Sequence, residues 1–171
     1  MLRGIMPTMD QTGFDRLRLE LSVNAKNGVD FIVSATVVWL ILGYIWTLPY
    51  TAYNLSILTF MAGSITIPLA FALSKVFKTS WKSPGNPLEP LGLWLNFAQL
   101  FYFPFLVLIL LTEPKFFVMT YAIITGAHFF PYAWYYKSMA YALMAGALAV
   151  LATLLVSAWK TNSRAWRHAR G

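Results

Sequence analysis

The sequence contains no cysteine. That absence excludes a disulfide framework, a thiol nucleophile and any cysteine-built metal site. Histidine is nearly absent as well: the 171 residues hold two, His128 and His168, too few for a three-ligand metal site within one subunit. Charge is scarce, at 11% of residues, where an ordinary soluble domain carries roughly 25%. No carboxylate falls deep within an apolar run, so the intramembrane Asp or Glu that proton coupling usually employs is missing. There is no phosphate-binding glycine loop. Ser64 and His128 could form the start of a hydrolase site, but neither a Gly-x-Ser-x-Gly elbow nor a third orienting residue accompanies them. No catalytic residue, metal or cofactor is therefore assigned, and the expectation is a protein that is not an enzyme.

What is abundant is apolar surface. Hydrophobic residues make up 58% of the chain, and they come in long blocks rather than in the short alternations of a soluble core. A bilayer is the solvent that suits such blocks. The formal charge of +7 does not indicate nucleic acid, because the basic residues fall between and beyond the blocks instead of forming a stripe interleaved with aromatics. They read as topology determinants.

The reading is all-α: a polytopic transmembrane bundle of five spans with an N-terminal interfacial amphipathic helix. Residues 1–28 form a leader and that helix, 29–159 the bundle, and 160–171 a basic tail. No apolar stretch precedes Asn27, so no signal peptide is expected and the first span stays as an anchor. Phe14, Leu17, Leu21 and Ala25 recur at helical spacing and would lie against the headgroups, with Arg16 and Glu20 off that face. The spans cover about 29–49, 52–74, 91–111, 116–136 and 139–159. Trp46, Tyr50 and Tyr53 mark an interface after the first. Pro68, Pro104 and Pro131 each remove a backbone donor, so a break is expected at each. Lys137-Ser138 makes so short a hairpin that spans four and five must be antiparallel neighbours. In span five, Ala142, Gly146, Ala149 and Thr153 form a small-residue packing face. With the N-terminus inside, eight Lys and Arg residues fall inside and five outside. This matches the positive-inside rule, although the tail runs against it.

Asn86-Pro87-Leu88 with Leu91-Gly92, Gln99 with Tyr102 and Pro104, and the run from Tyr121-Ala122-Ile123-Ile124 through Gly126-Ala127-His128, Pro131-Tyr132, Trp134 and Tyr136-Lys137-Ser138 together resemble a family of small uncharacterised bacterial integral membrane proteins. The resemblance covers most of residues 14–141. It implies a multi-pass protein of the bacterial cytoplasmic membrane, N-terminus cytoplasmic, and no particular activity.

The polar residues inside the spans are the candidate site. Tyr121, Thr125, His128, Tyr132 and Tyr135 share one face of the fourth helix. Asn96 and Gln99 lie one turn apart on the third, with Tyr102 a further turn on. If the two stripes meet, the His128 imidazole could bond an Asn96 or Gln99 amide or a tyrosine hydroxyl. Asp30, four residues after Lys26, reads as half of a surface helix pair, and Glu89 as a solvated turn residue. Two functions follow. The first is an accessory or structural protein that packs against its own copies or a partner membrane protein. The second is a small transporter or channel whose substrate crosses through a pocket around His128, Asn96 and Gln99.

Overall fold

The structure is a computed structural model that describes residues 11–168, with side chains as far as Leu154. The leader 1–10, the side chains of the basic tail, and residues 169–171 lie outside the described residues. Every regular element among the described residues is helical: α1 (Gln11–Asn24), α2 (Val29–Ile45), α3 (Ala52–Gly63), α4 (Thr66–Phe77), α5 (Glu89–Leu100), α6 (Phe103–Thr112), α7 (Phe117–Tyr135) and α8 (Met139–His168).

Four helical stretches, Lys26–Ile45, Ala52–Phe77, Glu89–Thr112 and Pro114–Tyr135, are long and apolar enough to cross a membrane. The start of α8 is a shorter apolar helix, Met139–Leu154. Two of the long stretches are broken beside their prolines. The second is interrupted at Ser64-Ile65, between α3 and α4, and the third at Phe101-Tyr102, between α5 and α6. At the first break hydroxyls take up backbone carbonyls: Ser64 donates to Met61, Thr66 to Gly63, and Ser34 of α2 to Thr66. Pro131 behaves differently from expectation, since α7 runs through it as one continuous helix. A proline ring can be carried inside a helix when neighbouring elements hold the segment straight, and α7 has more neighbours than any other element.

Helix α7 is the hub. It packs along α8 and also touches α5, α6, α3 and the foot of α1, while α2 packs on α3 and α4. Trp39 of α2 stacks on Tyr121 of α7 with ring centroids 5.6 Å apart, which joins the two halves. At Gly126 of α7 an added Cβ would lie 3.1 Å from the Ala145 carbonyl oxygen and 3.2 Å from Leu148 Cβ. The absence of a side chain there is what lets α7 and α8 approach closely.

One end of the bundle gathers α1, the turn Lys26–Gly28, the connection after α4 and the hairpin at Lys137. The other end gathers the turns at Thr47–Tyr50 and Glu113–Phe116, where Ser56 donates to the Pro114 carbonyl. Helix α1 does not present its Phe14 side outward. Phe14 lies 5.8 Å from the Trp134 ring, and Leu21 is buried among Tyr132, Tyr135 and Tyr141. Leu19 and Val23 are the exposed apolar residues of α1. The same apolar stripe that would suit headgroups is thus taken up by the protein's own aromatic cluster.

The docking of α1 has an electrostatic part. The Arg18 guanidinium lies over the Trp134 ring and donates to the Trp134 carbonyl at the end of α7. Lys137 Nζ donates to Asp15 Oδ2 at 3.0 Å. The bond from Lys137 holds the Asp15 carboxyl below the usual range; desolvation opposes it, and the Lys137 and Arg18 charges add to the lowering. A carboxylate whose folded value is depressed contributes to docking above the unfolded value and ceases to do so as pH falls through the folded one. Titration of the Asp15 carboxyl by carbon NMR should therefore show a midpoint below 3.8. Lys137→Met should return it upward; an unchanged midpoint in that variant would count against the tie.

Candidate functional site

The most heavily built polar site lies at the α1 end of the bundle, around Asp30. Three successive residues, Lys26, Asn27 and Gly28, take left-handed backbone angles, with φ of 45°, 55° and 67°. This turns the chain from α1 into α2. Only glycine fits at the third position, because φ is positive and a Cβ would sit 2.9 Å from the Tyr141 hydroxyl. The Tyr141 hydroxyl donates to the Asn27 carbonyl, and Ser22 Oγ to Asn27 Oδ1 at 2.5 Å.

Two residues beyond this turn, Asp30 is completely buried, at 0% exposure. Its Oδ1 accepts from the Phe31 backbone N–H at 2.9 Å. Its Oδ2 accepts from Thr79 Oγ1 at 2.7 Å and Trp81 Nε1 at 2.6 Å. The expected surface pair with Lys26 is corrected by this geometry: Lys26 Nζ instead donates to the Phe77 carbonyl at 2.7 Å, satisfying the end of α4. The physical reason is the left-handed turn between the two residues, which takes Lys26 off the helical register that a pair four residues apart requires. Asp30 thus lies in the first turn of a long apolar segment, at its edge rather than at depth, and is buried by the protein itself.

The chain after α4 folds over this carboxylate as a roof. Trp81 lies tilted against Phe31, with ring centroids 4.8 Å apart, and meets Phe71 edge-on at 6.0 Å. Ser80 N–H donates to the Asn24 carbonyl, Asn24 Nδ2 to Ser83 Oγ, and Asn86 Nδ2 to the Leu17 carbonyl. Ser83 and Asn86 are both buried. Asp30 is thus held by three neutral donors, and it ties a polar connection to the first turn of an apolar helix. A carboxylate in a first turn also interacts favourably with the helix dipole.

The residues singled out from sequence are distributed differently. Tyr132 is buried in a ring cluster with Tyr135, Tyr136 and Tyr141, and its hydroxyl reaches the Gly92 carbonyl of α5 at 3.4 Å. His128 is half-buried and meets the Tyr132 ring edge-on, with centroids 5.3 Å apart. Thr125 is buried and donates to the Tyr121 carbonyl of its own helix. Asn96 is exposed and donates to the Gly92 carbonyl of its own helix at 3.0 Å. Gln99 is half-buried and Tyr102 exposed. Among the described residues no hydrogen bond joins His128 to Asn96 or Gln99. Glu89 is only partly exposed, and its carbonyl accepts from the Tyr135 hydroxyl at 3.4 Å.

On α8 the buried small residues are Ala145 and Ala152, together with Tyr141. Ala142 and Ala149 are half-buried, whereas Gly146 and Thr153 are exposed, and nothing lies within 4 Å of a Cβ added at Gly146. The face that packs on α7 is therefore one step round from the Gly146 face.

Sequence reasoning missed Asp30, Thr79 and Trp81. The available signal was an aspartate in the first turn of an apolar block, together with a tryptophan set in an otherwise polar connection that had no other reason to carry one. Among the described residues no group of three His, Cys, Asp or Glu side chains is placed to hold a metal. Hollows of about 340 and 370 Å³ lie beside Tyr50, Asn54, Ile57 and Leu58, and between α1 and Trp134; neither is lined by His128.

Comparison with curated proteins and with solved structures gives no match. A family of unknown function, DUF7010, matches residues 14–168, from the first turn of α1 to the end of α8. That match takes in the Asp30 roof, the tyrosine cluster and all the long apolar helices, and the chain belongs to this family of unknown function.

Proposed function

We propose that this is a multi-pass protein of the bacterial cytoplasmic membrane that acts as an accessory or structural component, through helix packing and oligomerisation. Five crossings with the N-terminus cytoplasmic suit the arrangement, since α1, the connection after α4 and the Lys137 hairpin share one end and carry most of the basic residues. The observation that carries the reading is how the interior polar groups are used. Thr59 and Thr125 each donate to a carbonyl of their own helix, Thr120 donates to the Phe116 carbonyl just before α7, Ser56 reaches the Ala52 and Pro114 carbonyls, and Asp30 accepts from Thr79, Trp81 and the Phe31 N–H. Groups so committed are taken up by the protein's own backbone and side chains; a solute pathway needs some of them free to exchange partners.

The second reading, a small transporter or channel, is favoured by the buried Asp30 and by the two broken helices, features that transporters use at their sites. Proteoliposomes distinguish the two. Under the packing reading they show no pH-dependent flux that His128→Ala or Asp30→Asn abolishes. A flux lost in either variant, with the protein still folded, would transfer the assignment to transport. The oligomerisation part is tested by the size of the protein in detergent, which Gly146→Leu should reduce if the α8 face joins copies.

A further inference from the structure

We propose that the α5 face carrying Asn96 and Gln99 is a contact with a second copy of this chain, joined by amide-to-amide hydrogen bonds within the bilayer. The inference rests on the membrane reading above and names the surface through which its oligomerisation occurs. The Glu89–Thr112 segment is the least covered of the four long ones: 6% of its most apolar window is buried, against 28% for each of the first two and 39% for the fourth. A helix so bare belongs either in lipid or against a partner, and its two amides decide between them.

Asn96 lies seven residues beyond Glu89, about 10 Å down a helix that rises ~1.5 Å per residue. Its side chain is exposed, one amide hydrogen goes to the Gly92 carbonyl, and its Oδ1 has no partner among the described residues. Gln99, a turn deeper, has no side-chain hydrogen bond among the described residues. Amide groups left facing hydrocarbon are costly, because no water is there to take their place. Leu93, Trp94, Phe97, Leu100 and Phe101 are exposed apolar residues of the same stretch, with Leu93 and Leu100 nearest the amides in helical register.

A second copy is the partner the chemistry fits. Copies in one membrane share an orientation, so a two-fold axis along the membrane normal brings each residue near the axis against its own counterpart at the same depth. A carboxylate or lysine meeting itself is repelled. A carboxamide meeting itself supplies both donor and acceptor, and such bonds across helices drive association in lipid.

The test uses the full chain, whose lack of cysteine makes any introduced cysteine unique. In native membranes, Leu100→Cys should form a disulfide-linked dimer on mild oxidation, and Leu40→Cys, exposed on α2, should not. Adding Asn96→Leu with Gln99→Leu should reduce the Leu100→Cys dimer by about tenfold, a factor equal to ~1.4 kcal/mol and within what interhelical amide bonds supply. Asn96→Gln should restore much of it, which separates bonding from misfolding. A Leu100→Cys dimer that survives loss of both amides overturns the proposal. If the protein is oligomeric but cross-links only through a cysteine at Gly146, this surface is wrong while the packing reading stands. A monomer under all conditions removes both.

Discussion

Asp30→Ala should lower the stability of the protein more than any other single polar substitution. The variant removes the acceptor for Thr79 Oγ1, Trp81 Nε1 and the Phe31 N–H from a site with no solvent access. Hydrogen bonds to a charged group contribute ~1.5–3 kcal/mol each, and donors left buried without partners add a penalty, so a loss on the order of 3–5 kcal/mol is expected. Asp30→Asn should recover less than half, because an amide offers one acceptor oxygen and turns an N–H toward the Trp81 indole N–H. Trp81→Phe should cost about 1–2 kcal/mol, since Thr79 remains to satisfy Oδ2. Thermal unfolding in detergent gives the stabilities, and amide exchange over residues 79–83 reports whether the roof has lifted. An Asp30→Ala protein within about 0.5 kcal/mol of the parent, the range of ordinary surface changes, would mean that the carboxylate is not the anchor of that connection.

Gly126→Leu is expected to have the second large effect. The nearest atoms to an added Cβ are the Ala145 backbone oxygen at 3.1 Å and Leu148 Cβ at 3.2 Å, neither of which can rotate away. Relief requires α7 and α8 to separate along their length, and overpacking of this kind costs about 1–3 kcal/mol or more. Gly126→Ala should already be measurable. Gly146→Leu supplies the contrast: nothing lies within 4 Å of its Cβ, so the folded monomer should be unaffected and any change should appear in association alone. Equal destabilisation by leucine at the two positions would sink the assignment of faces on α8.

Both expectations concern residues whose roles were unequally visible in the sequence. Gly146 stood out because it lies in a regular run of small residues, and a periodic run is easily read along a helix. Gly126 and Ala145 did not, because each is conspicuous only once the other is placed beside it. Asp30 was misread for a similar reason. Its spacing from Lys26 is that of a helical pair, but the left-handed angles at Lys26, Asn27 and Gly28 interrupt the helix that the pairing assumes. Pro68 and Pro104 each stand in the first turn of the helix that follows a break, where the missing donor costs nothing, whereas Pro131 sits inside the most surrounded helix and is carried straight through.

The stripe of Tyr121, Thr125, His128, Tyr132 and Tyr135 illustrates the limit most directly. Their common face was legible from spacing. What that face meets was not. It turns toward Trp39, Gly63 and the first turns of α5 rather than toward the amides of Asn96 and Gln99.

By itself the sequence determined the helical class, the positions of the apolar segments and the residues on each helical face, because these depend on local composition and on a fixed helical period. It also excluded cysteine chemistry outright. The tertiary structure alone decided which faces are covered, that α7 is the hub, and that Asp30 is roofed by Thr79 and Trp81. Those outcomes depend on contacts between residues roughly fifty positions apart, and no local pattern specifies which distant donor a buried acceptor will find.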